Sequence, residues 1–345
     1  MTRDHGPARR RARPLRRAAA GLLAVLVVVA GAVVLGHSFR LSLQAVTIPT
    51  SQGDLEGVLA FPEDAAARGL VVMVHGDGPV DATQDDLYLP WFEAAAEAGY
   101  ATLSWSKPGV AGSAGDWLDQ SMADRAREVD EVLDWATRRS DLPTGTVVLW
   151  GASQAGWVVP RVVADREDVD GVIAVGTAID WQRQGGYHLE ATLEHEGADA
   201  EERASALAER ERVQDLLDRR ATHAEYLAVT TDADPMTADR WGFVLRNHGS
   251  DASADLEAAS ARGIPWHLMA GREDRNVDVA ETEQVYREVL GDHLTVSWFD
   301  AAHSMARPVM EDVEPIGLAT AVLAPRSLMA PGVLDDYRRT LGRMG

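Results

Sequence analysis

Short apolar runs, separated by longer mixed segments, recur along the chain from residue 41 onward. Two stretches, Leu41–Ile48 and Leu55–Phe61, alternate between apolar and polar positions on either side of a Ser-Gln-Gly turn, which predicts an antiparallel strand pair. The later runs are wholly apolar, as expected of strands that a parallel sheet buries on both faces. These runs are Leu70–Val74, Tyr100–Trp105, Thr146–Trp150, Gly171–Val175, Ile264–Met269 and Leu294–Phe299.

Segments of helical character lie between these runs: Trp91–Ala98, Met122–Arg138, Gln154–Asp165, Val279–Leu290 and Val333–Arg343. Strands that alternate with helices predict an α/β fold with a mainly parallel sheet, and right-handed crossovers would place helices on both of its faces. Residues 181–260 interrupt the alternation, because they contain no strand-like run. We expect this stretch to be a helical insertion that covers the carboxyl edge of the sheet as a lid.

The first 35 residues differ from the rest in composition. Residues 1–17 carry seven arginines and one aspartate, a net charge of +6, whereas residues 18–35 carry no charge. As a helix, this uncharged stretch would span about 27 Å, close to the hydrocarbon thickness of a bilayer. The pattern predicts a basic cytoplasmic N-terminus at 1–17, a membrane anchor at 18–36 and an extracytoplasmic folded domain at 41–345. The alternative is a signal peptide that is cleaved near Ala30-Gly31-Ala32 and releases a secreted protein.

Composition narrows the possible functions. The chain has 345 residues and no cysteine, which excludes disulfides, thiolate zinc sites and a cysteine nucleophile. Beyond residue 17 the net charge is −27, so the chain repels phosphate backbones and we expect no nucleic acid as a partner. No dinucleotide fingerprint or His/Asp metal cluster stands out, and we expect neither a cofactor nor a metal. We attribute the single lysine, Lys107, to a coding bias toward arginine.

The segment Trp150-Gly-Ala-Ser153-Gln-Ala-Gly156 places a serine between a predicted strand and a predicted helix. This order is that of a nucleophile elbow, in which a serine at positive φ projects its hydroxyl clear of the sheet. Small residues at 151 and 155 let the strand and the helix approach each other closely. Ala155 stands where glycine is commonest, but it is still small. Ser153 is therefore the candidate nucleophile.

A glycine-rich loop, His75-Gly-Asp-Gly-Pro79, follows the predicted strand that ends at Val74. In this architecture the oxyanion hole takes one N–H from the residue after the nucleophile, which is Gln154, and one from such a loop. We expect the second N–H to be that of Asp77, with its carboxylate turned away from the developing negative charge.

Two further candidates follow the last two predicted strands. Asp274 lies in Gly-Arg-Glu-Asp-Arg-Asn after the strand that ends at Met269 and is the expected acid, with Glu273 as the alternative. His303 lies four residues past the strand that ends at Phe299 and is the expected base. An acid at that strand end can orient the imidazole and stabilise its charged form. The order Ser, Asp, His along the chain is that of the α/β-hydrolases.

Together these motifs resemble those of the α/β-hydrolase superfamily, in particular its dienelactone-hydrolase and acyl-CoA-thioesterase-C-terminal-like group. The residues that carry the resemblance, over about 41–345, are His75–Pro79, Ser106–Gly109, Gly112–Trp117, Gly151–Gly156 with Pro160, Gly271–Val277 and His303. The resemblance implies an α/β-hydrolase fold with an eight-stranded, mostly parallel sheet. It also implies a serine hydrolase that acts on esters, lactones, thioesters or some peptides.

Our leading hypothesis is a metal-independent carboxylesterase that cleaves a small-molecule acyl ester through an acyl-enzyme on Ser153. A serine peptidase and a thioesterase of the same fold are the alternatives among enzymes, although the membrane would separate a thioesterase from cytosolic CoA esters. The alternative that is not an enzyme is a catalytically silent, membrane-tethered binding protein on a hydrolase scaffold. An intact set of Ser, His and Asp argues against it, because a binding protein has no need of that set.

Overall fold

Eight strands form one sheet in the computed structural model, which describes residues 30, 31 and 33–344. The strands are β1 (Leu41–Thr50), β2 (Gly53–Pro62), β3 (Gly69–Val74), β4 (Tyr100–Trp105), β5 (Val147–Ala152), β6 (Gly171–Val175), β7 (Trp266–Gly271) and β8 (Leu294–Phe299). Every predicted strand is present, and each end lies within about two residues of its predicted position.

The strand order across the sheet is β1-β2-β4-β3-β5-β6-β7-β8. β1 and β2 pair antiparallel as a hairpin, β2 pairs antiparallel with β4, and the remaining pairs are parallel. The inner strands β3, β5 and β6 are buried almost throughout, so they lack the alternation of polar and apolar residues seen in β1 and β2. The expected α/β-hydrolase sheet, eight-stranded and mostly parallel, is confirmed.

Helices cover both faces of the sheet, over two separate apolar cores. From residue 41 onward the α-helices are α1 (Leu89–Glu97), α2 (Met122–Thr137), α3 (Val159–Asp165), α4 (Trp181–His195), α5 (Ala200–Asp218), α6 (His223–Leu227), α7 (Ala238–Asn247), α8 (Ser253–Ser260), α9 (Val279–Leu290), α10 (Pro308–Asp312), α11 (Glu314–Leu323) and α12 (Val333–Leu341). α1 and α12 pack on one face, and α2, α3, α8 and α9 pack on the other. This arrangement follows from strand geometry, because successive side chains of a strand point to opposite faces.

The stretch between β6 and β7, predicted as an insertion at 181–260, folds as the five helices α4 to α8. The first four of them begin at a residue whose side chain accepts a hydrogen bond from an N–H of the first turn, which satisfies a donor that the helix itself cannot. These capping residues are Asp180, Asp199, Thr222 and Thr237. The insertion follows β6, whose carboxyl end lies beside that of β5. It therefore begins close to Ser153.

The predicted membrane anchor at 18–36 is only partly visible in the structure. Residues 30, 31 and 33–36 are described and are helical, whereas the basic segment 1–17 and the rest of the anchor lie outside the described residues. Among the residues that are described, no helix is both long enough and apolar enough to cross a bilayer.

Candidate active site

Ser153 occupies the turn between β5 and the helical residues that follow it. Its φ is 52°, in the left-handed region that an elbow serine adopts. Close packing explains the small neighbours. A Cβ on Gly151 would lie 2.9 Å from Cγ2 of Val159, and a Cβ on Gly156 would lie 2.5 Å from the carbonyl oxygen of Ala178. The elbow expected from the sequence is present, and Ser153 is at its tip.

Asp274 and His303 are in direct contact. Nδ1 of His303 lies 2.8 Å from Oδ2 of Asp274. The other carboxylate oxygen, Oδ1, accepts the backbone N–H groups of Asn276 at 2.8 Å and Val277 at 2.9 Å, and the Asp274 side chain is completely buried. Glu273, the alternative acid, is exposed. The geometry therefore selects Asp274 over Glu273 as the partner of His303.

Gly176, directly after β6, makes room for this pair. Its φ is 53°, and a Cβ at this position would lie 3.2 Å from Nδ1 of His303 and 3.3 Å from Oδ2 of Asp274. Any larger residue would therefore press on the contact between the two side chains. The sequence pattern did not single out Gly176, although a glycine that directly follows a buried strand was a signal for close approach.

Ser153 and His303 line the same cavity, of about 240 Å³, at the carboxyl ends of the central strands. Aromatic and apolar side chains such as those of Trp91, Trp150 and Val175 form part of its wall. The cavity thus offers space for part of a small substrate next to the serine.

Asp77 lies beside Ser153 in this cavity, and its backbone N–H has no acceptor among the described residues. Its carboxylate is engaged by other side chains. Arg240 donates to both carboxylate oxygens, at 3.0 and 2.5 Å, and Nε2 of Gln154 donates to Oδ1 at 3.0 Å. Burial alone would raise the pKa of the Asp77 carboxyl, but the hydrogen bonds and charge of Arg240, together with the charge of Lys107, lower this pKa below its ordinary value. Arg240 thus balances the negative charge that would otherwise oppose an oxyanion here.

Two buried basic side chains hold the glycine-rich loop by hydrogen bonds to its carbonyl oxygens. Nζ of Lys107 donates to the carbonyl oxygen of Gly76 at 2.5 Å, and Arg125 donates to the carbonyl oxygen of His75 at 2.7 Å. Because a trans peptide points its C=O and its N–H in opposite directions, the bond from Lys107 fixes the direction of the Asp77 N–H. Burial and the nearby Arg125 lower the pKa of Lys107 well below its ordinary value. Neither role was predicted from the sequence, in which we attributed the single lysine to coding bias.

A family model described as serine aminopeptidase, S33, matches residues 65–306 of the chain. The chain belongs to this family. It is a serine hydrolase of the α/β-hydrolase fold, as the sequence predicted, whereas its assignment to the dienelactone-hydrolase group stays a prediction. No curated protein matches the chain in sequence.

Solved structures similar to this hydrolase include both esterases and a peptidase. Esterase Pf2001 of Pyrococcus furiosus is 15% identical over 84% of this chain and 91% of its own, with a TM-score of 0.52. Est1E of Butyrivibrio proteoclasticus, solved with ferulic acid, is 15% identical over 81% of this chain and 99% of its own, with a TM-score of 0.53. The acylaminoacyl peptidase of Pyrococcus horikoshii is 12% identical over 89% of this chain and 42% of its own, with a TM-score of 0.50. At these identities the similarity establishes the fold of the hydrolase.

The helical insertion of the hydrolase contacts two loops of the site. Besides the bond between Arg240 and Asp77, the hydroxyl of Tyr187 donates to the carbonyl oxygen of Asp274 at 2.8 Å. Nε2 of Gln184 donates to the carbonyl oxygen of Asn276 at 2.7 Å. The insertion therefore braces the loop that carries the acid and the loop that carries the Asp77 N–H.

His75, the first residue of the glycine-rich loop, is structural. Its Nε2 donates to the carbonyl oxygen of Trp105 at 2.7 Å, and its ring stacks on Tyr88 with centroids 5.5 Å apart. Burial, aided by the charge of Lys107, lowers the pKa of His75 to about 3, so the ring is neutral at physiological pH. Among residues 33–344, no group of three or more His, Asp or Glu side chains converges as a metal site would require.

Proposed function

We propose that this hydrolase is a carboxylesterase that cleaves small acyl esters. The observation that carries the proposal is the contact between Asp274 and His303 beside a cavity that also holds Ser153 at an elbow. A buried acid that engages Nδ1 of the histidine leaves Nε2 available to accept the proton of the serine. Two of the similar structures are those of esterases, which supports an ester as the substrate.

Each residue has a defined role in the proposed reaction. Oγ of Ser153 attacks the acyl carbon while Nε2 of His303 takes its proton, and the same proton then goes to the alcohol as the ester C–O bond breaks. Asp274 keeps His303 protonated at Nδ1 and stabilises the imidazolium that forms. The N–H groups of Asp77 and Gln154 bind the oxyanion. Water, activated by His303, then releases the acid from Ser153.

A serine aminopeptidase is the second candidate, because the matched family carries that description and a peptidase is among the similar structures. An aminopeptidase binds the positively charged N-terminus of its substrate, which requires an available carboxylate near the nucleophile. Asp77 is the only acidic residue that lines the described cavity, and Arg240 already pairs with its carboxylate. The charge of the cavity therefore favours an ester.

Matched chromogenic substrates test this proposal. The full-length protein should hydrolyse p-nitrophenyl acetate and butyrate with a kcat/KM at least about a hundredfold above that for alanyl and leucyl p-nitroanilides. Ser153→Ala should abolish ester hydrolysis. Faster cleavage of the anilides than of the esters would favour the aminopeptidase instead. Faster cleavage of acyl thioesters would favour a thioesterase. No turnover of any of these substrates would favour the catalytically silent binding protein.

We propose that the hydrolase domain is tethered outside the cytoplasm by an anchor at 18–36, with the arginines of 1–17 on the cytoplasmic side. A reporter that is active only outside the cytoplasm, fused after Gly345, should be active. The protein should also stay with membranes after a carbonate wash. A secreted product that begins near residue 33 would instead support the cleaved signal peptide.

A further inference from the structure

A group of apolar side chains is exposed on α10 and α11. α11 buries none of its residues, although its sequence is almost wholly apolar. Of the twelve large apolar side chains that are exposed in the described part of the chain, six lie on or between these two helices, and such concentration marks an interaction surface. These six form what we call the apolar patch: Val309, Val313, Ile316, Leu318, Val322 and Leu323.

The first described residues of the chain reach the same surface. Nε2 of His37 lies 2.9 Å from the carbonyl oxygen of Val322, near the end of α11. Just before it, Val34 and Leu35 are 69% and 75% exposed. The uncharged stretch 18–35, which begins outside the described residues, therefore joins the folded domain at the edge of the apolar patch.

A groove of about 390 Å³ lies between the apolar patch and the catalytic cavity. It lies between α1 and α11 and is lined mainly by apolar side chains, among them Leu318 of the patch. Four residues, Gln84, Tyr88, Trp91 and Ser304, line both the groove and the cavity of Ser153. The two spaces therefore adjoin, and a chain-shaped apolar group can extend from the patch toward the nucleophile.

We propose that the apolar patch rests in the interfacial layer of a lipid bilayer, and that the groove guides the acyl chain of a lipid ester from there to Ser153. The substrate part of this inference rests on the proposed esterase function. A bilayer is the occupant that this surface fits, because an uncharged stretch of bilayer-spanning length ends beside the patch. The bilayer part of this inference rests on the proposed anchor at 18–36, which would bring the patch to the same membrane. Two acidic residues, Glu311 and Glu314, line the groove, so we expect zwitterionic lipids to be preferred over anionic ones.

The first test exploits the lack of cysteine in the chain, because a single introduced thiol can carry a fluorophore. The full-length protein is incorporated into phosphatidylcholine vesicles with a nitrobenzoxadiazole label on Leu318→Cys. Lipids with a nitroxide on the acyl chain should quench this label at least about twofold. Leu207→Cys is the matched control, because Leu207 is an exposed leucine (38%) on α5, and its label should not be quenched.

The second test addresses the groove. Ala321 lines it, whereas Ala319 lies on the same helix, is exposed and does not. Each buried methylene favours binding about fourfold, so the ratio of kcat/KM for p-nitrophenyl dodecanoate to that for the acetate should be high in the wild type. Ala321→Phe should lower this ratio about tenfold, because the added ring fills the part of the groove in which we propose that the acyl chain binds. Ala319→Phe should leave the ratio unchanged.

The outcomes separate this proposal from the function on which it rests. Absent quenching at position 318, or equal quenching at 318 and 207, would overturn the bilayer contact. A dimer that depends on Leu318, without quenching, would show that a second copy covers the patch and would also overturn it. An unchanged ester ratio in Ala321→Phe, with both esters still cleaved, refutes the groove alone, whereas a wild type that cleaves neither ester refutes the esterase function.

Discussion

Replacement of Asp274 by asparagine tests how the acid acts on His303. Oδ1 of Asp274 accepts two backbone N–H groups, so the amide oxygen of an asparagine has to take that place. Its NH2 group then faces Nδ1 of His303, which lies 2.8 Å from the replaced oxygen. Because that nitrogen now has to accept a hydrogen bond, the imidazole proton moves to Nε2. The histidine can then no longer accept the proton of Ser153.

We expect Asp274→Asn to lower kcat for p-nitrophenyl acetate by three to four decades. The same exchange in the serine-protease triad lowers kcat about 10⁴-fold through the wrong tautomer, which corresponds to about 5.4 kcal/mol of transition-state stabilisation. KM and the melting temperature should change little, because the amide keeps the shape of the side chain and the hydrogen bonds with Asn276 and Val277. Stopped-flow or steady-state esterase kinetics together with thermal denaturation measure all three quantities.

Glu273→Gln is the matched control, since it removes a neighbouring charge that is exposed and does not engage His303 in the structure. We expect it to lower kcat by less than about threefold. If Asp274→Asn kept more than a tenth of the wild-type kcat, or if the two variants lost activity equally, the tautomer argument would be refuted.

Three further substitutions have defined outcomes. Lys107→Met frees the carbonyl of Gly76 and should lower kcat roughly ten- to a hundredfold in esterase assays, less than the loss of an oxyanion donor itself. Gly176→Ala places a methyl group against His303 and should lower kcat at least about tenfold without unfolding the protein, as circular dichroism would show. Burial raises the pKa of Asp130 to about 6, so its ionisation opposes folding as the pH rises from about 4 to 6. After allowance for solvent screening, Asp130→Asn should therefore raise the free energy of unfolding by about 1 kcal/mol at pH 8. At pH 3, where the carboxyl is protonated in both states, the free energy of unfolding should not change. Urea denaturation at both pH values measures these two quantities.

The sheet and the central residues of the site were predictable from the sequence. Buried parallel strands are short apolar runs, so their positions could be found without any contact information. Ser153, Asp274 and His303 each follow such a run, and parallel strands end at a common edge of the sheet. Their approach to one another was therefore expected before any distance was measured.

The residues that support the site could not be found in this way. Lys107 donates to the carbonyl oxygen of Gly76 and Arg125 to that of His75, and contacts of that kind depend on how distant segments pack. An arginine in an acidic helical insertion, Arg240, is also indistinguishable in sequence from a solvent-exposed charge. Its role depends on where the insertion folds back over the sheet.

The helices α10 and α11 were also absent from the sequence prediction. Each carries a proline in its first turn, where the missing N–H costs nothing, but in a sequence a proline usually indicates a break. The apolar residues of α11 face outward rather than toward a core, so they do not alternate with polar residues at helical spacing.

Covalent labelling can identify the nucleophile of this hydrolase. The full-length protein is treated with a fluorophosphonate, digested and analysed by mass spectrometry. We predict a single adduct on Ser153, its loss in Ser153→Ala with the melting temperature unchanged, and labelling that is at least about a hundredfold slower in Asp274→Asn. An adduct on another serine, or labelling that persists in Ser153→Ala, would contradict this prediction.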